Sequence, residues 1–224
     1  MSRTFNLTGK PNAVTFVVAY GPTYTVSNTR EQKDAFWADL ESAVSRVLSS
    51  DYLFVLIDAN ARTGDCKVIG AHGRDTPVSD SNGTSLLRFA GDNKLPLVNT
   101  FFSVPKGCTS RTFNGTRPAD RKRIDYIITQ QSHRKLVRNV IVHLQPHADS
   151  DHNIVCARVR LPGRFARHQK QRAPTGRKSI DRRASTSDTD RRERLIQLKD
   201  RTECSNNRGL SLVAHAGKVL LKIV

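Results

Sequence analysis

Acidic residues are scarce in this 224-residue chain: 20 Asp and Glu stand against 37 Lys and Arg, a formal charge of +17. An excess of that size favours a polyanionic partner such as nucleic acid. Cysteine is sparse too. Cys66, Cys108, Cys156 and Cys204 lie far apart with no CxxC pair, so neither a zinc ribbon nor a disulfide framework is indicated. Long apolar runs are missing. Val14 to Tyr20 is too short for a membrane span and follows no basic leader, so the sequence shows neither a transmembrane segment nor a secretion signal. These absences point to an intracellular protein, nuclear or cytoplasmic, that is not secreted and has no membrane partner. They also remove the weight of the three Asn-x-Thr sequons at Asn6, Asn82 and Asn114. What is present, 37% hydrophobic residues, suffices for a real core.

The charge divides the chain. Residues 162–224 hold 16 basic and 6 acidic side chains, +10 in all, and leave +7 on residues 1–161. From Pro162 to Asp190 almost nothing is apolar, so this stretch reads as a basic, largely disordered linker or tail, with possible short helices further on. Residues 1–161 alternate strand and helix signals. Ala13 to Ala19 and Tyr52 to Ile57 are continuous apolar runs, as in strands buried on both faces. Between them Thr29 and Gln32 form a capping box ahead of Phe36, Leu40, Ala43, Val44, Val47 and Leu48 at helical spacing. Asn82-Gly83 reads as a turn, Ser85 to Ala90 as a short helix and Leu97 to Asn99 as a short strand. Ile124 to Thr129, Val137 to Leu144 and Ile154 to Leu161 complete at least five strands in a layered α/β (α+β) domain.

Three of these strands carry acidic or amide residues at an end or inside an apolar run. They are Asp58 and Asn60 after YLFVLI, Asp125 within RIDYII, and Asp151 with His152 before NIVCARV. Taken singly, each reads as a cap or turn before it reads as catalytic. Asp125 is harder to dismiss, because a carboxylate among Ile124, Tyr126, Ile127 and Ile128 must be paired or coordinated if it is buried. Carboxylates grouped at strand ends suit a hard divalent cation with oxygen ligands.

The ordered set AYGPT (19–23), IDAN with Asp58 and Asn60, NGTSLLRFAGDNKLPLVNTFF (82–102), RIDYII (123–128) and SDH (150–152) resembles the endonuclease/exonuclease/phosphatase superfamily over about 150 residues. The stretch 82–102 is most similar to the branch of non-LTR retrotransposon endonucleases and craniofacial development proteins. The resemblance implies part of a four-layer α/β-sandwich, incomplete at the N-terminus, that hydrolyses phosphodiesters of nucleic acid, DNA before RNA, with Mg2+ or Mn2+. In a full-length relative it would be fused to a reverse transcriptase. On the matching positions, Asp58 would activate water, Asn60 and Tyr20 would contact the phosphate, and His152 would donate to a phosphate oxygen with Asp125 orienting it. Asp151 and Asp58 would approach the metal. From the basic charge rather than the resemblance, Arg123, with Arg164, Arg167, Lys170 and Arg172, is expected to contact nucleic acid.

Two departures matter. Ile57-Asp58-Ala59-Asn60 stands where the family usually has Gly-Asp-Phe-Asn, which alters packing and keeps the functional pair. The family also places about a hundred residues, with an Asn and a metal-binding Glu, before the AYGPT strand, and here only residues 1–12 stand there. The expectation is therefore a fragment with weak metal binding and impaired activity. Two other readings stay open: a non-catalytic nucleic-acid-binding fragment whose basic arm supplies affinity, and a phosphatase of the same superfamily.

Overall fold

The computed structural model describes residues 2–7, 9–10, 12–23, 29–64, 66–73, 78–144 and 151–162, with the backbone of 164–165, 210–214 and 219–223. In chain order the elements are β1 (Ser2–Leu7), β2 (Gly9–Lys10), β3 (Val14–Tyr20), α1 (Arg30–Ser45), β4 (Tyr52–Asp58), α2 (Ser81–Asp92), β5 (Asp125–Thr129), β6 (Val137–His143), β7 (Ile154–Val159), β8 (Arg164–Phe165), β9 (Leu210–Ala214) and β10 (Val219–Ile223). One sheet runs β1-β3-β4-β5, a second runs β6-β7-β10-β9, and β2 pairs with β8. Among the described strand pairs, β3–β4 and β7–β10 are parallel and the rest antiparallel.

The continuous apolar strands are buried on both faces because they sit between two cores. Alternate residues of β4 diverge: Leu53, Val55 and Ile57 meet Phe36, Trp37 and Leu40 of α1 and Leu86 and Phe89 of α2. Tyr52, Phe54 and Leu56 meet Val140, Val142, Val155, Ala157 and Val159 of the second sheet. Period 2 along the strand divides the two sets. The helix-side core is tightened by aromatic contact, with the Trp37 and Phe89 ring centroids 5.7 Å apart. α1 starts as its capping box requires: Thr29 Oγ1 accepts from Gln32 N at 3.3 Å and Gln32 Oε1 accepts from Thr29 N at 3.0 Å.

Three local expectations are corrected. α2 is longer than Ser85–Ala90, and Asn82-Gly83 lies in its first turn because Asp80 caps it through a 2.7 Å bond from Gly83 N. A β-carbon at residue 83 would overlap the Arg62 carbonyl oxygen, so this Gly serves close approach rather than a turn. Leu97 to Asn99 is no strand: Leu97 makes single bridges to Ile69 and Ile128, and the chain then winds into a 3-10 turn at Val98–Thr100. β1 went unanticipated because most of its residues are exposed and its apolar pattern is weak. Within the tail, the short helix expected at 191–201 lies outside the described residues, while 210–214 and 219–223 are strands and β10 runs parallel to β7.

Candidate active site

Strand register builds the floor of the site. Tyr20 of β3 pairs with Asp58 of β4, and Asp58 with Asp125 of β5, so three polar residues form one row across the end of the first sheet. By alternation the row shares the face of Phe16, Phe54, Leu56 and Ile127, the face turned toward the second sheet. His152, just before β7, reaches it from that opposite sheet. Its Nδ1 lies 3.0 Å from Asp125 Oδ2, and its Nε2 3.8 Å from Asp58 Oδ2. Asp58 is 2% exposed and Asp125 0%, whereas the His152 side chain is 19% exposed and forms the accessible lip.

Burying two carboxylates side by side is costly for the ionised forms. Burial, with the charge of Asp125 adding, pushes Asp58 up to about 7, against a bond donated by the Asn60 N–H. Burial also raises Asp125, partly offset by its hydrogen bond to His152. For His152, burial alone would lower the imidazole, but the hydrogen bond and charge of Asp125, with the charges of Asp58 and Asp151, raise it overall. The trio holds an imidazolium between two carboxylates more readily than it holds two bare carboxylates.

The loops around the row are pinned by backbone bonds. Asp58 Oδ1 accepts from Asn60 N at 3.0 Å, closing an Asx turn in which Asn60 takes a left-handed φ of 46°. Asn60 Nδ2 donates to Gly21 O at 2.9 Å, and Gly21 N donates to Asp58 O at 2.7 Å. Asn82 Nδ2 donates to Pro22 O at 2.8 Å and to Asn60 O at 3.0 Å. On the other flank Thr112 Oγ1 accepts from Ile124 N and Asp125 N, both at 3.0 Å. The segment after it is tied to the His152 strand, since Asn153 N donates to Thr112 O and Asn114 N to Asp151 O, each at 2.7 Å. Phe113 meets the His152 ring edge-on at 5.4 Å. Asn99 clasps β5, donating to Asp125 O at 3.0 Å and accepting from Ile127 N at 3.3 Å. Asn82, Asn99 and Thr112 escaped sequence reading because a buried amide or hydroxyl bonded to main chain looks, in sequence, like any turn residue.

Of the residues singled out in the sequence, Tyr20, Asp58, Asp125 and His152 converge. Asn60 lies beside them, with one of its amide hydrogens already given to Gly21. Asp151 is exposed, and its charge acts on Asp58, Asp125 and His152. Arg123 is a correction. At 3% exposure it cannot face nucleic acid, and it donates from Nε to Ser110 O at 3.1 Å and from Nη2 to His72 O at 3.0 Å. The side chain of Arg164, with Arg167, Lys170, Arg172 and Ser150, lies outside the described residues.

Ligand atoms of Asp58, Asp125 and His152 all fall within 4.8 Å of one another, the one such grouping of His, Cys, Asp and Glu among the described residues. Asp125 Oδ1 is buried and meets no hydrogen-bond donor at full geometry among those residues, although the nearby Thr112 hydroxyl eases the charge of the carboxyl. An orphaned carboxylate oxygen beside a second buried carboxylate fits a divalent cation, which would relieve both desolvation and repulsion. His152 Nδ1 is already engaged by Asp125, so the oxygens carry the fit.

No protein-family model matches the sequence. Over 156 residues the chain is 31% identical to craniofacial development protein 2 of Bos taurus, covering 68% of this chain and 26% of that protein. The same protein of Tragulus javanicus is 30% identical over 156 residues. The chain thus spans about a quarter of the length of these curated relatives. Among solved structures it resembles the endonuclease domain of TRAS1, a telomere-specific non-LTR retrotransposon, at 16% identity and a TM-score of 0.46, covering 68% of this chain and 60% of that one. It also resembles the catalytic domain of Xenopus laevis APE2 at 14% identity and a TM-score of 0.48, covering 68% and 52%. Over this stretch the chain is thus similar in sequence to craniofacial development protein 2, and Asp58, Asp125 and His152 meet between its two sheets as the resemblance to the endonuclease/exonuclease/phosphatase superfamily implies.

Proposed function

We propose that this chain is a metal-dependent phosphodiesterase domain that cleaves DNA, of the type found in non-LTR retrotransposons. The observation that carries the reading is the Asp58–His152–Asp125 arrangement, with a buried carboxylate on each ring nitrogen's side at 3.8 and 3.0 Å. Asp125 fixes the tautomer, holding the proton on Nδ1 and turning Nε2 toward the opening. With both nitrogens protonated, His152 donates from Nε2 to a phosphoryl oxygen and stabilises its developing charge. Asp58, held by the Asn60 N–H and facing His152 from the floor of the site, takes a proton from the attacking water. Asn60 holds the turn that presents Asp58 and offers its remaining amide hydrogen to phosphate. Tyr20, 45% exposed at the end of the row, borders the substrate path. Mg2+ or Mn2+, held by Asp58 and Asp125 with Asp151 at the rim, would neutralise charge on the phosphoryl and leaving oxygens.

Three aspartates and a histidine make a lean cation site, so activity of this chain by itself is expected to be low. The Asn82 to Phe102 stretch supports the retrotransposon type, and with it fusion to a reverse transcriptase in longer relatives. Plasmid nicking with Mg2+ tests the reading: slow nicking that disappears in Asp58→Ala and in His152→Ala supports it. Nicking unchanged in both variants would refute it.

A further inference from the structure

Asn82 touches none of the reacting groups, yet it is 3% exposed and spends both hydrogens of its amide on the loops that carry them. One goes to Pro22 O, in the loop after β3, and the other to Asn60 O, in the turn after β4. α2 is itself held against that turn. Asp80 Oδ2 accepts from Arg62 N at 3.0 Å, Asp80 N donates to Arg62 O at 3.3 Å, and no side chain fits between Gly83 and the Arg62 carbonyl. The first turn of α2 is therefore a fixed platform, and the Asn82 amide is its bracket. What the bracket holds is a residue at φ 46°, the left-handed region that asparagine tolerates better than other non-glycine residues and that the Asx turn to Asp58 uses. In that conformation the Asn60 N–H meets Asp58 Oδ1, leaving Oδ2 toward His152.

We propose that Asn82 is the positioning residue for Asp58, fixing the Asn60 turn so that the carboxylate keeps one rotamer. The inference takes Asp58 as a working group of the site, as argued above, but its geometry can be tested without catalysis. Asn82→Asp keeps the shape and removes both donors, and Asn82→Ser keeps one smaller donor in case the new charge prevents folding. Hydrogen exchange on the full chain should show the amides of Gly21 and Asn60 exchanging about tenfold faster in either variant, with the amides of α1, β6 and β7 unchanged. Mn2+ affinity should fall about tenfold, although Asn82 is no ligand. Any measurable nicking should lose kcat with KM unchanged. Unchanged exchange at Asn60, or loss of protection spread evenly over the domain, would overturn the proposal. Local loss at Gly21 and Asn60 in the variants, with a wild-type chain that neither binds Mn2+ nor nicks DNA, would support the positioning role and count against the phosphodiesterase reading alone.

Discussion

Asp58 sits where a carboxylate is least at ease, 2% exposed and in register with Asp125. Its proton affinity, raised to about 7 by burial and by Asp125, means that the native state holds a proton the unfolded chain has released. Stability of the metal-free domain is thus greatest on the acid side and falls as pH rises from about 4 through about 7. His152 and Asp125, also raised, act in the same direction. At fixed ionic strength with EDTA, the Tm at pH 8 should lie about 5 °C or more below that at pH 5. Asp58→Asn should remove most of the difference, and Mg2+ should restore the Tm at pH 8 and not at pH 5, because a protonated carboxylate is a poor ligand. Asp125→Asn leaves the shape and removes the charge that fixes the imidazole, so nicking should drop about 10²- to 10⁴-fold. These residues were legible in sequence because a charge inside RIDYII has no inexpensive alternative explanation. Arg123 misled for a related reason: a buried guanidinium bonded to carbonyls resembles a phosphate ligand until its surroundings are known.

Elements with strong periodicity were legible as well. The two-faced β4 and the capped α1 follow from their residues alone, whereas α2 was cut short because Asn-Gly signals a turn wherever packing does not override it. Here Asp80 overrides it, accepting from Gly83 N and Arg62 N with separate oxygens. Asp80→Ala should cost about 1 kcal/mol in urea unfolding. Gly83→Ala should cost more, since its methyl must displace the Arg62 carbonyl, and a free energy within error of wild type would contradict this close approach. β1 and the strands at 210–214 and 219–223 were illegible because their stability comes from pairing with a neighbour rather than from a pattern of their own.

Across the whole molecule, charge and chemistry lie in different places. The +10 of residues 162–224 exceeds the +7 of the rest, while the site is built from Asp58, Asp125 and His152. Binding to DNA should weaken steeply with salt, and replacing Arg167, Lys170 and Arg172 with Ala should flatten the log–log slope by up to about three units without altering sequence preference. An unchanged slope would place the electrostatic contacts elsewhere. Removing the whole tail is a poor test, since β10 pairs with β7, the strand that follows His152. That strand also makes the site a joint: two of its members ride on one sheet and the third on the other. A slippage of about an ångström between the sheets would strain the Thr112 bonds that tie Asp125 to the His152 segment and part His152 from both carboxylates, while every strand stayed paired. Modest hydrostatic pressure, which works on interlayer voids before it breaks ladders, should therefore release the bound cation at pressures where the circular dichroism of the fold is still intact.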